Sequence, residues 1–368
     1  MPERILVVKL ADLGDLLTIT PALRALRSHL STAQIDVLVT PGSAALLATT
    51  DAIDRLIPFH KVAFDRPGPA LGALPAAIGL GRRLRAERYD VLVLFHHLTT
   101  AFGTAKYAAL ALASGAPVRA GLDNGRGRFL THRAIDGGFG ERHEVDYWLE
   151  VVATLGAVNP HPRLEISIPA AAEAAAEQRW RELSQDGRPT AILHPGSGAF
   201  SLARRWPAER YATLGDRLAS ELDLHPVVLA GPAPGEAELA DEIVSRMRRP
   251  AAVLRDVPGP QALAALIRRA DLFVGNDSGV MHLAAAVETP LVAIFGPTNS
   301  RAWGPYPPDS ARNAVVREPL ACSPCIHRGH RFGTPQGCPA RTCLDLVGVD
   351  MAIAAAARVL EGTSRTYA

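Results

Sequence analysis

The chain is poor in the features that mark several protein classes. Only 4 of its 368 residues are cysteine, too few for a disulfide-stapled secreted scaffold. No run approaches the 18 or so apolar residues of a membrane-spanning helix, and no targeting segment precedes the first strand-like stretch, Arg4–Leu10. A cytoplasmic protein is the expectation. The net charge of +2 makes no case for a nucleic-acid partner. Neither G-x-G-x-x-G nor G-x-x-x-x-G-K-[ST] occurs, which counts against a dinucleotide-dependent dehydrogenase and a P-loop NTPase. No period of about 20–50 residues is visible, so a solenoid is excluded.

What remains is ordinary globular composition, 48% hydrophobic and 21% charged, in a chain long enough for two domains. Apolar runs such as RILVVKL, QIDVLVT, YDVLVLF, TAILHPG, HPVVLAG, DLFVGND and PLVAIFG alternate with helical patterns. That rhythm predicts α/β architecture with parallel sheets covered by helices on both faces. The expected division is an N-terminal domain over 1–168, a linker helix and turn over 169–189, a second domain over 190–345 and a C-terminal helix over 346–368. Charge is uneven. Between His60 and Arg133 eleven Lys/Arg face four Asp/Glu, a local +7 (11 − 4) that leaves about −5 (2 − 7) elsewhere. Such a stretch attracts an anionic substrate or lipid headgroups, or is simply a solvated arginine-rich face.

Three strand-to-helix junctions carry candidate chemistry. In KLADLGDLLTITPALRAL (Lys9–Leu26), Asp12, Gly14 and Asp15 sit between a strand and a helix patterned by Leu16, Ile19, Leu23, Leu26 and Leu30. Helix capping explains an Asp there; so does ligand binding, because these junctions form the carboxyl edge of a parallel sheet. In LHPGSGAFSLARRWP (Leu193–Pro207), a Gly/Ser loop holding Ser197 runs into Arg204 and Arg205, a combination that suits an anion. In GNDSGVMHLAAA (Gly275–Ala286), Asp277, Ser278, Gly279 and His282 open a helix directly after a strand. Its N-terminus favours a diphosphate, while Asp277 suits sugar hydroxyls.

These three stretches, with VAIFGPT, closely resemble in order and spacing the signature segments of glycosyltransferase family 9, the heptosyltransferases of lipopolysaccharide assembly. VRAGLDNGRGRFL and RHEVDYWLEVVATLG are weaker echoes. The resemblance implies a GT-B fold, two Rossmann-like domains with parallel sheets facing across a cleft, and inverting transfer from ADP-heptose to a lipid-linked inner-core sugar without a metal or other cofactor. It assigns Asp15 as general base. It places Ser197, Arg204, Arg205, Asp277, Ser278, Gly279 and His282 at the nucleotide-sugar donor, with Arg204 where the family usually carries Lys. Lys9, Arg126 and Arg128 are the candidate acceptor contacts. It also implies work at the cytoplasmic face of the inner membrane, with peripheral contact to that surface. Related transfer from another nucleotide-sugar, and a two-lobed protein that binds a nucleotide without catalysis, are the competing readings; the carboxylate at position 15 disfavours the second.

The four cysteines form Cys322-x2-Cys325-x12-Cys338-x4-Cys343. Two close pairs suit a structural four-thiolate zinc site, which would leave no open position for catalysis. A reduced or redox-labile thiol cluster is the alternative.

Overall fold

The computed structural model describes residues 2–61, 72, 74–184 and 187–364. Arg66 of the basic stretch, Gln185 and Asp186 of the expected linker turn, and the last four residues of the expected C-terminal helix lie outside the described residues. The chain divides into two units, Met1–Pro162 with Gly329–Arg331, and Arg163–Arg328 with Phe332–Ala368.

The first unit runs β1 (Arg4–Lys9), α1 (Leu13–Thr18), α2 (Thr20–His29), β2 (Gln34–Val39), β3 (Arg55–Pro58), α3 (Leu74–Ala86), β4 (Val91–Leu94), α4 (Ala101–Ser114), β5 (Val118–Asp123), β6 (His132–Ile135) and α5 (Glu144–Ala153). Its strands pair in the order β3-β2-β1-β4-β5-β6, every pair parallel. Ile5, Leu6, Val7 and Val8 are all fully buried, which is why β1 reads as an unbroken apolar run and not as an alternation: both faces of a parallel sheet are covered. The apolar periodicity from Leu16 to Leu30 predicts one helix, but two form. Pro21 lies in the first turn of α2; with no N–H and a ring that crowds the preceding turn, it ends one helix and is accommodated at the start of the next.

The second unit runs α6 (Ala170–Leu183), β7 (Thr190–His194), α7 (Ala208–Glu221), β8 (His225–Leu229), α8 (Glu236–Arg246), β9 (Ala252–Leu254), α9 (Gly259–Arg269), β10 (Leu272–Asn276), α10 (Gly279–Ala286), β11 (Leu291–Ile294), β12 (Asn313–Val316) and α11 (Val349–Ser364). Its strand order is β12-β11-β10-β7-β8-β9, again wholly parallel. The stretch expected as a linker helix, α6, belongs to this unit, and the division falls between Pro162 and Arg163. Glu173 and Glu177 of α6 pair with Arg269 of α9 at 2.9 Å each. Pairs this exposed contribute at most about 1 kcal/mol each, so buried Ala176 and Leu183 do much of the holding.

Both sheets therefore repeat one doubly wound order. In each, the first strand of the unit lies beside the fourth, β1 beside β4 and β7 beside β10. Chain connections leave in opposite directions at such a pair, which opens a crevice at the carboxyl ends of the strands. The candidate residues lie at those ends.

Candidate active site

At the β1/β4 edge of the first unit, β1 delivers Lys9 and the following turn delivers Asp12 and Asp15. Asp12 occupies the N-cap position of α1, yet its side chain makes no cap hydrogen bond. Asp15 is in the first helical turn, its side chain about 32% exposed, with Oδ1 3.7 Å from Lys9 Nζ. Capping thus does not account for either carboxylate. The Asp15 carboxyl is pushed up from its ordinary value by burial first; Lys9 and Lys61 pull it down, Asp12 and Glu144 push it further up. Burial outweighs the lysine beside it, which makes Asp15 a stronger proton acceptor than a free carboxylate.

Lys9 is only 4% exposed, and its ammonium lies 4.3 Å from the centre of the Trp148 ring. Arg126 and Arg128 are exposed on the turn after β5, at the same carboxyl edge as Asp15. Asp123 shapes that turn by accepting from the backbone N–H of Gly125 and Gly127 at 2.8 and 2.7 Å. Composition gave no hint of His96 and His97, which follow β4 at the switch point. His96 Nδ1 hydrogen-bonds the His97 carbonyl at 2.6 Å, and burial with nearby Lys9 pushes its pKa down to about 3, so the ring is neutral. His97 is opposite in character, held between Asp136 and Glu144. A His-His pair directly after the strand YDVLVLF was the available signal.

At the β7/β10 edge of the second unit, Asn276 organises the loop after β7. Its Oδ1 accepts from Trp206 N and the Tyr211 hydroxyl, each at 3.1 Å, and its Nδ2 donates to the Pro195 carbonyl at 2.7 Å. Ser278 caps α10, its Oγ accepting from Met281 N at 3.3 Å, and His282 is buried one turn on. Asp277 is 7% exposed and lies 3.4 Å from Arg204 Nη1. Arg204 also donates to the Ser197 carbonyl and stands 5.4 Å from the Phe200 ring centre. Arg204, Asp277, Ser278, Gly279 and His282 thus gather at one sheet edge.

Ser197 and Arg205 are committed inside the loop. Ser197 Oγ donates to the Ser201 carbonyl at 2.9 Å. The backbone N–H groups of Ser197 and Gly198 both donate to Glu236 Oε1 at 3.0 Å, and Arg205 pairs with the same carboxylate at 3.1 Å. Glu236, the first residue of α8 and 2% exposed, is a site residue the sequence reading missed. Two glycines make room for it: a Cβ on Gly231 would lie 2.0 Å from Glu236 Oε2, and one on Gly196 2.6 Å from its carboxylate. The signal was Gly-Pro-Ala-Pro-Gly-Glu (Gly231–Glu236), one residue after β8.

The zinc expectation is not met. Among the described residues, which include all four cysteines, no cluster of His, Cys, Asp or Glu could hold a metal ion. Cys322 and Cys338 are exposed while Cys343 is buried in the short helix Thr342–Asp345. Burial pushes the Cys325 and Cys343 thiols up, and the neighbouring cysteines push them the same way.

Two doubly wound units, one with a carboxylate at its switch-point edge and the other with a capped helix and a guanidinium at its own, fit the GT-B class expected from the sequence. Comparison with known proteins then gives the family. The sequence profile of glycosyltransferase family 9 (heptosyltransferase) matches residues 78–335, and the chain belongs to that family.

It is 29% identical over 335 residues to lipopolysaccharide heptosyltransferase 2 of Escherichia coli (strain K12), covering 85% of this chain and 88% of that one. It is 27% identical over 302 residues to lipopolysaccharide heptosyltransferase 3 of Escherichia coli, covering 80% and 83%. Lipooligosaccharide heptosyltransferase 2 of Campylobacter jejuni matches over 147 residues at 30% identity, which spans only 39% of this chain and 44% of that relative. The fold matches the crystal structure of the glycosyl transferase family 9 protein from Veillonella parvula DSM 2008, with a TM-score of 0.75, 24% identity and 97% of each chain covered. It also matches E. coli ADP-heptose lps heptosyltransferase II, with a TM-score of 0.67, 22% identity and coverage of 96% and 98%.

Proposed function

We propose that this enzyme transfers heptose from ADP-heptose to an inner-core sugar of lipid A-linked lipopolysaccharide, with inversion at the anomeric carbon. The observation that carries the reading is Asp15: a carboxylate on the carboxyl edge of the first sheet, partly open, with its proton affinity raised by its surroundings. In this reading Asp15 takes the proton of the acceptor hydroxyl as that oxygen attacks the anomeric carbon. Arg204 and the N-terminus of α10 meet the negative charge that grows on the leaving diphosphate. Asp277 and His282 orient the donor, while Ser197 and Arg205, bound to Glu236, keep the loop in shape. No resident cofactor takes part.

Lys9 serves Asp15 and not the acceptor, and Arg126 and Arg128 receive the acceptor's anionic groups. Among the described residues no helix is long and apolar enough to cross a membrane. Work at the cytoplasmic face of the inner membrane, through the basic stretch of the first unit, completes the proposal; sedimentation with anionic but not neutral vesicles checks it, and equal pelleting with both would contradict it.

The donor is tested by thermal shift with ADP, UDP, GDP and CDP at matched concentration. Ligand at about 100 times its Kd stabilises by roughly 2.7 kcal/mol. A rise with ADP alone is expected; a rise with UDP or GDP instead would overturn the donor assignment.

A further inference from the structure

The first unit buries a chain of charges behind Asp15 that the proposed reaction does not itself use. Its anchor is His97, 6% exposed, with Nδ1 3.0 Å from Asp136 Oδ1 and Nε2 3.1 Å from Glu144 Oε1. Nε2 hydrogen-bonds Glu144, and with a second carboxylate close to Nδ1 the ring is favoured in its charged form. Its pKa accordingly rises to about 9: burial opposes the charge, and the two carboxylates outweigh it. Glu144, 1% exposed, opens α5 and lies one helical turn before Trp148. Residues four apart share a helix face, so the Glu144 carboxylate and the Trp148 ring look the same way. On that ring sits the Lys9 ammonium, and Lys9 is in turn 3.7 Å from Asp15. A second link runs from Trp148 Nε1 to Thr18 Oγ1 at 3.0 Å, and from Thr18 Oγ1 to the Asp15 carbonyl at 2.7 Å. One face of α5 therefore reaches both the backbone and the counter-ion of Asp15.

We propose that Glu144 is a positioning residue for Asp15: anchored by His97 and Asp136, its negative charge offsets the Lys9 ammonium and so sets how firmly the Asp15 carboxylate takes a proton. The proposal deepens the general-base reading of Asp15 and rests on it. A lysine alone beside a carboxylate weakens it as a base; a buried anion that also acts on that lysine offsets the effect. The groups that face Asp15 are Lys9 from β1, Asp12 from the turn into α1, Lys61 after β3 and Glu144 from α5. Glu144 and Asp12 push the Asp15 carboxyl up, and the two lysines pull it down. Glu144 itself is held below the usual carboxylate range by His97, Lys9 and His143 against the cost of burial, so it stays ionised while Asp15 titrates. Asp136 lies beside His97 and favours its charged form.

The test is the pH profile of transfer by the full-length protein, for wild type, Glu144→Gln and Lys9→Met. The acid limb of kcat/KM reports the free enzyme's base. E144Q is expected to move that limb to lower pH by on the order of half a pH unit, the scale of one like charge removed from a partly screened site. Its plateau should fall several-fold, with the donor KM unchanged. K9M is expected to move the limb the other way. A role of Glu144 in folding only would lower the thermal midpoint and leave the limb at its wild-type pH, and that result overturns the proposal. Should E144Q not accumulate as folded protein, Glu144→Met is read the same way, since an apolar replacement of similar volume is often tolerated where a buried ion is not. Asp15→Asn separates the two claims. If it abolishes transfer while the limb ignores Glu144, only the positioning role fails; if it transfers normally, the base reading falls and takes this inference with it.

Discussion

Replacing Glu236 with alanine should unsettle the second unit by several kcal/mol. One buried carboxylate oxygen accepts two backbone N–H donors at 3.0 Å and pairs with Arg205 at 3.1 Å. Truncation leaves the two N–H groups without their acceptor and a mostly buried guanidinium without its counter-ion. A hydrogen bond to a charged group contributes about 1.5–3 kcal/mol, and breaking one side of a buried pair costs about 3–5 kcal/mol. These overlap, so the larger sets the scale: about 3–5 kcal/mol. For a unit of this size 1 kcal/mol moves the midpoint by about 2–4 °C, which puts the expected fall at roughly 6–20 °C. Differential scanning calorimetry of E236A measures it directly. Glu236→Gln keeps an acceptor oxygen and should lose less than half as much. A fall below about 2 °C in E236A would show that the loop does not depend on this carboxylate, and the account of the Leu193–Pro207 junction would be wrong.

Other outcomes follow from the same geometry. Arg204→Ala should weaken binding of the nucleoside diphosphate about 10- to 100-fold by calorimetric titration, the scale of one charge-assisted contact, and Arg204→Lys should recover part of it; equal affinity in all three would remove Arg204 from the donor site. Reversing charge at Arg126 and Arg128 should raise the acceptor KM at least several-fold more than the donor KM, whereas equal effects would count against acceptor recognition there. The imidazolium of His97 contributes stability that is complete below the ordinary histidine pKa, roughly 6.5, and is lost as the pH rises through about 9. Chemical denaturation of wild type and His97→Gln at pH 6 and pH 10 should show a gap that shrinks at the higher pH; a constant gap would mean His97 is neutral.

The parallel sheets were legible because buried parallel strands need unbroken apolar runs, and Thr190–His194 and Ala170–Leu183 are the very segments their patterns mark. The junction residues also marked the carboxyl edges of both sheets, though not the strand order that makes switch points there. What escaped reading was of two kinds. The break before α2 hides in a continuous apolar period, because periodicity registers which face is buried and not whether the backbone hydrogen bonds run through Pro21. The partners of the site residues are distant in sequence: Glu236 is 31 to 39 residues from the loop donors it serves, and His97 meets Glu144 across 47. Nothing local announces such a pairing. The cysteine spacing misled for a related reason: spacing says nothing of ligand geometry, and among the described residues no group of three or more His, Cys, Asp or Glu could hold a metal ion.

The central claim is that Asp15 is the base of a heptosyl transfer, and one measurement reaches it. Purified wild type and Asp15→Asn are given ADP-heptose and a lipid A-linked inner-core acceptor, and release of ADP is followed alongside ADP affinity by titration. Loss of a general base costs about 10²- to 10⁴-fold in rate, so the expected result is turnover by the wild type, a fall of that size in D15N, and ADP affinity unchanged between them. Turnover by D15N within a few-fold of wild type would contradict the claim.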